Sequence, residues 1–214
     1  MVYMKILLIR HGETEWNVER VFRGRKDIPL SKIGRKQAEL LGKYLRDIDI
    51  NVVYSSPLKR ALETAEYIVE YHDKTVEIIV DDDLIDINYG SWEGKSEDEV
   101  KEIYGELYEE WINNPHLVKF PNGESLEDVR SRLMRFIGKI VRGIEGNIAI
   151  VSHRVVLKVM ICMLLGLDNS KFWNIRIDCG GITIFEYKDN KFILVKHNDI
   201  SYLSETPSQK LSDF

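Results

Sequence analysis

Residues 5–17 read KILLIRHGETEWN. The apolar run Ile6–Ile9, closed abruptly by Arg10, reads as a short strand buried on both faces rather than as a helix. In an open α/β sheet, ligands gather outside the carboxyl ends of the strands, so the residues just beyond such a strand carry chemical weight. Here they include Arg10, His11 and Asn17.

Outward from this stretch the chain alternates. A Gly-, Arg- and Pro-containing segment runs to Leu30, and a helix is expected from Ser31 to about Arg46, with Ile33, Leu40, Leu41, Tyr44 and Leu45 on its apolar face. NVVYS (51–55) is a second strand, and Ser56-Pro57 opens a helix with serine as N-cap and proline at its first position. VEIIV (76–80) is a third strand. Ser96 with Glu99 forms a capping box for a helix to about Asn113, and Ser125 with Asp128 resembles a second one. NIAIVS (147–152) is a fourth buried strand, followed by a helix over 155–167. GITIFEY and KFILVKH, joined by Asp189-Asn190, read as a hairpin. Strands alternating with helices imply a three-layer α/β/α domain around a mostly parallel central sheet. Residues 1–214 are expected to form one domain, with a helical insertion at about 92–123 and a polar tail at about 203–214.

Bulk properties narrow the function. The 214 residues carry 30 Lys and Arg against 35 Asp and Glu, a net charge of −5, which argues against nucleic acid as the partner. A small anionic substrate needs only a local positive pocket. Two cysteines, Cys162 and Cys179, form no metal or disulfide framework, which favours a reducing, cytoplasmic setting. The run ILLI is too short for a signal peptide, and the most apolar helix, VVLKVMICMLLGL, is too short to span a bilayer and contains Lys158, so no membrane partner is expected. The sequence is compatible with a homodimer.

Four strand ends offer one complementary set. The first brings Arg10, His11 and Asn17; the second brings Arg60; the third brings Asp86; the fourth brings His153 and Arg154. Arginines bind and neutralise phosphate, and a neutral imidazole between them is a competent nucleophile toward phosphorus. A second imidazole can donate to phosphoryl oxygens, and a carboxylic acid can protonate a departing alkoxide. Two rival readings are weaker. His11, Glu13 and His153 could ligate a metal, but clustered arginines oppose a divalent cation, and no Pro-Cys-x-x-Cys occurs downstream to complete a zinc-deaminase signature. LIDINYGSWEGKS (84–96) has the flavour of a P-loop, but three residues, not four, separate Gly90 from Gly94-Lys95-Ser96.

The motif LLIRHGETEWN resembles the signature of the histidine phosphatase superfamily, the phosphoglycerate mutase-like family. FRGRKDIPLSKIGRKQA, VYSSPLKRALETAE, YGSWEG, NGESLEDV and AIVSH resemble the family's later blocks in order, so the likeness covers roughly residues 4–160. It implies that His11 becomes a phosphohistidine and that Arg10, Arg60 and His153 hold the phosphoryl group. It further implies that Asn17 and Gly24 help line the pocket, and that Asp86 is the proton donor. Water then hydrolyses the phosphohistidine, with no metal and no cofactor. The reading is a metal-independent phosphomonoester hydrolase acting on a small phosphorylated metabolite. Phosphoglycerate mutase activity is the near alternative, and a weakly catalytic module that binds a phosphorylated ligand is a third.

Three positions depart from the family pattern. The donor is usually glutamate, and Asp86 is one methylene shorter. Arg154 stands where a glycine commonly follows the second histidine, and Arg23 where an uncharged polar side chain is common. Arg23 and Arg154 are expected at the pocket mouth, binding a second anionic group of the substrate. Asp83 and Glu93 are nearby carboxylates that could substitute for Asp86, and Trp92 could wall the pocket.

Overall fold

The computed structural model describes residues 3–143 and 146–203. Strand β1 (Tyr3–Arg10) lies inside a six-stranded sheet of order β3-β2-β4-β1-β5-β6. Strands β2 (Ile50–Ser55), β3 (Glu77–Val80) and β4 (Asn147–Ser152) run parallel with β1. The hairpin of β5 (Ile182–Lys188) and β6 (Lys191–Asp199) joins antiparallel to β1. Asp189 and Asn190 both have positive φ, 51° and 60°, the conformation a two-residue hairpin of matching twist requires.

Side chains alternate across the central strands, so each strand feeds two cores. Ile6, Leu8, Ile148 and Ile150 face one side, where helices α5 (Leu126–Gly143) and α6 (Arg154–Leu164) contribute Val129, Leu133, Phe136 and Val156. Leu7, Ile9, Val53, Ala149 and Val151 face the other, against Leu41 and Leu45 of α2 (Lys32–Leu45), which follows the single-turn α1 (Glu15–Val18), and Ala61, Ala65 and Ile68 of α3 (Lys59–Glu70). The continuous apolar runs of β1 and β4 follow from this two-sided burial.

Three expectations about helices need correction. In α2, Ile33 and Tyr44 are exposed, and the inward face is Gly34, Gln37, Ala38, Leu41, Gly42 and Leu45. Small residues replace the expected large ones because the helix approaches backbone: a Cβ on Gly34 would run into the Glu13 carbonyl. Helix α3 begins at Lys59 rather than beside Ser56. Its first amide is instead capped from a distance, Lys59 N donating to Asp27 Oδ1 at 2.8 Å, while Ser56 Oγ turns to His153. Helix α6 stops at Leu164, because Gly166 has φ of +70° and the Leu167 amide returns to the Cys162 carbonyl at 2.8 Å, a Schellman stop.

Both capping boxes form. Ser96 and Glu99 open α4 (Glu97–Asn113), and Ser125 and Asp128 open α5. The Lys119 ammonium and the Ser125 bonds hold the Asp128 carboxyl down at about 2. The segment 92–123 packs its Trp92, Trp111 and Phe120 into the core shared with α5 and α6. Of the expected polar tail, Leu203 is buried at the end of a short turn, and residues 204–214 lie outside the described residues. Among the described residues no helix is long and apolar enough to cross a membrane.

Candidate active site

His11 leaves β1 with its amide bonded to the Ser152 carbonyl of β4 at 3.1 Å, so the two central parallel strands hold its backbone. Its ring Nδ1 lies 2.6 Å from the Gly12 carbonyl. A carbonyl can only accept, so Nδ1 carries the proton and Nε2 keeps the lone pair. Burial, then the charges of Arg60, Arg10 and Arg23, push the His11 imidazolium well below the usual histidine range, so the ring is neutral at pH 7.

His153 follows β4 and its ring centroid lies 5.1 Å from that of His11. Its Nδ1 accepts from Arg60 Nε at 3.2 Å, so Nε2 carries the proton and donates to Ser56 Oγ at 2.7 Å. Burial and the Arg60 charge depress this ring's basicity as well.

Arg60, in the first turn of α3 and 0% exposed, ties the strand ends together. Besides His153 it reaches the Lys26 carbonyl at 2.8 Å, the Gly24 carbonyl at 2.8 Å and Asp86 Oδ2 at 3.0 Å. Asp86 sits on the loop after β3, its other oxygen accepting from the Ile87 amide at 2.9 Å and its Oδ2 3.7 Å from His153 Nδ1. That loop is strapped from below. Glu124 takes the Asn88 amide at 2.9 Å and pairs with Arg132 at 3.3 Å, while Arg132 also donates to the Asp83 carbonyl at 2.5 Å. Arg10 is buried, with Nη1 on the Ile177 carbonyl at 2.6 Å.

A chamber of ≈ 310 Å³, its open side included, is lined by His11, Asp86, Arg23, Gly24, Arg154 and Tyr89, with Phe22, Val21 and Val155 as apolar wall. Arg23 and Arg154 are therefore part of the enclosure, only 7% and 5% exposed, not solvated charges. Arg23 donates to the Trp16 carbonyl at 3.1 Å, and the Arg154 guanidinium lies 5.8 Å over the Trp173 ring and against the Tyr89 phenol. Burial, with Arg10, Arg60 and Arg154 nearby, lowers the Arg23 guanidinium to about 9, still charged at neutral pH.

The structure thus brings His11, Asp86, Arg23, Gly24 and Arg154 onto one chamber, with Arg60 and His153 bonded to that set and Arg10 beside it. Asn17 is buried nearby but serves its own loop, Oδ1 accepting from the Thr14 amide and hydroxyl at 2.9 Å each; its Nδ2 has no partner among the described residues. Glu13 turns away, taking Ser31 Oγ at 3.0 Å, which removes it from the alternative metal set. Asp83 pairs with Arg135 and Lys139, Glu93 accepts from the Arg25 and Tyr89 amides, and Trp92 packs against Phe22 and Phe120, so none of the three replaces Asp86 or walls the chamber. Sequence reasoning missed Ser56 and Tyr89. Ser56 is the first residue beyond β2, where the same strand-end logic applies; Tyr89, three residues past Asp86, carries no such signal. A larger apolar groove of ≈ 730 Å³ lies at the far hairpin, among Met134, Val141 and Phe192, and presents no convergent acid and base.

Known proteins resemble this chain along most of their length. The chain is 38% identical over 203 residues to phosphoserine phosphatase 1 of Hydrogenobacter thermophilus, covering 94% of this chain and 95% of that one. It is 32% identical over 178 residues to the adenosylcobalamin/alpha-ribazole phosphatase of Escherichia coli, covering 83% and 87%. The solved structure of Bacillus stearothermophilus YhfR superposes with a TM-score of 0.88 at 33% identity, over 94% of this chain and 99% of that one. A family model matches residues 6–200, and the chain belongs to the histidine phosphatase superfamily, branch 1.

Proposed function

We propose that this protein hydrolyses a phosphomonoester of a small metabolite through a phosphohistidine on His11. The observation that carries the reading is the His11 ring itself: Nδ1–H is spent on Gly12, Nε2 keeps its lone pair, and burial together with the surrounding arginines holds the ring neutral at the chamber wall. Nε2 attacks phosphorus, the ester P–O bond breaks, and its electron pair leaves with the substrate oxygen. Asp86 protonates that oxygen. Arg10 and Arg60 balance the charge of the phosphoryl oxygens, and His153 exchanges its Ser56 bond for one to the same group. Water, deprotonated by Asp86, then attacks phosphorus. The N–P bond breaks back onto Nε2, and inorganic phosphate leaves. The buried, unbridged thiols of Cys162 and Cys179 fit a cytoplasmic setting.

The test is inorganic phosphate release across a panel of phosphate esters, with His11→Ala beside the native chain. Native turnover without added metal, and its loss in the variant, is the expected result. Undiminished release by His11→Ala, or bisphosphoglycerate-dependent isomerisation in place of release, contradicts it.

A further inference from the structure

We propose that the substrate is a phosphomonoester that carries a second anionic group and no ammonium beside it, and that Arg23 and Arg154 hold that second group. This rests on the hydrolase reading above and names its substrate class. In that reading the phosphoryl dianion is served by Arg10 and Arg60 together with the two histidines. Arg23 and Arg154 line the chamber onto which His11 and Asp86 open, with Arg60 bonded to Asp86 behind its wall, so the described residues bring two guanidiniums beyond those that one phosphoryl group neutralises.

Buried cations crowded together are tolerated where an anion completes them. Arg23 is tied to the Trp16 carbonyl, and its Nε has no partner among the described residues. Its lowered basicity, from burial and the three neighbouring arginines, reports the same crowding. Planar guanidiniums match carboxylate and phosphoryl oxygens in pairs, and the Tyr89 hydroxyl adjoins Arg154.

The case against an ammonium comes from the acceptors. Among the described residues lining the chamber, Asp86 is the one carboxylate, and it is bonded to Arg60 and the Ile87 amide. Glu93 and Glu13 are committed elsewhere. An ammonium placed near Arg23 and Arg154 meets like charge without a carboxylate to receive it.

The experiment is a set of kcat/KM values for 3-phosphoglycerate, 1,3-propanediol bisphosphate, phosphoserine, glycerol 3-phosphate and phosphoethanolamine. One of the first two is expected at least tenfold above both glycerol 3-phosphate and phosphoserine, with phosphoethanolamine lowest; whichever leads identifies the second group as carboxylate or phosphoryl. Arg154→Gly and Arg23→Gln should each shrink that ratio toward one, chiefly through KM. Affinities measured by calorimetry on His11→Ala should rank in the same order, the preferred probe having the smallest dissociation constant, so a failure of catalysis leaves the recognition claim testable on its own. Phosphoserine or phosphoethanolamine at or above both dianionic-plus-anionic probes overturns the proposal, as does a ratio unmoved by either arginine substitution. Turnover without preference would overturn this inference while leaving the hydrolase intact. Ordered binding without turnover would do the reverse.

Discussion

A histidine becomes a nucleophile when one ring nitrogen is tied down and the other is left bare, and His11 meets both conditions through Gly12. Asp86 is the residue whose shortness matters. Short as it is, its Oδ2 lies 3.0 Å from Arg60 and 3.7 Å from His153. Asp86→Asn should lower kcat by about 100-fold or more for alkyl phosphates, the usual scale for general acid–base catalysis. The loss should be smaller for p-nitrophenyl phosphate, whose leaving group needs no proton. Steady-state kinetics on both substrates checks this, and equal losses would argue that Asp86 supports the site without transferring a proton. The convergence of His11, Arg10, Arg60, Asp86 and His153 was legible in the sequence because each ends a strand, follows one or opens the next helix. The burial of Arg23 and Arg154 was not. Exposure at a pocket mouth depends on what folds over it, here the apolar wall of Phe22 and Val155 and the rings of Tyr89 and Trp173.

Elements position these side chains through contacts distant in sequence. Arg60 points correctly only if α3 starts at Lys59, and that start is set by Asp27, 32 residues upstream. Asp27→Ala should cost about 0.5–2 kcal/mol of stability, the range for a lost helix cap. Because Arg60 spans Lys26, Gly24 and Asp86, activity should fall as well. Urea unfolding alongside kinetics tests both, and an unchanged midpoint would show that α3 is held by packing alone. The expected Ser56 cap survives only as a 3.3 Å bond from the Leu58 amide ahead of the helix, while its hydroxyl also takes His153, a partner 97 residues away that no local pattern reveals. The two capping boxes succeeded because every bond in them lies within three residues.

At the scale of the whole molecule, the mixed sheet and its two cores were readable from apolar runs and alternation, since two-sided burial leaves a direct imprint on β1 and β4. The inward faces of helices were read less well, as Ile33 and Tyr44 show, because close backbone approach favours glycine and alanine over large side chains. The site also leaves a signature in global stability. His11 and His153 both have folded-state basicity depressed well below the free value. The unfolded chain therefore binds more protons than the folded one as pH drops through about 6.5, and stability present above that point is lost as pH falls. Denaturation midpoints should decline from about pH 6.5 downward, and His11→Asn should flatten part of that decline. A midpoint independent of pH between 7 and 5 would contradict the buried, neutral pair.

The most direct test of the phosphohistidine is rapid quenching of the native protein with radiolabelled phosphate ester into alkali, where a nitrogen–phosphorus bond survives, followed by peptide mapping. The prediction is a single acid-labile, alkali-stable label on the peptide containing His11, absent from His11→Ala. Turnover with no label at any quench time, or a label on a different residue, would contradict the account.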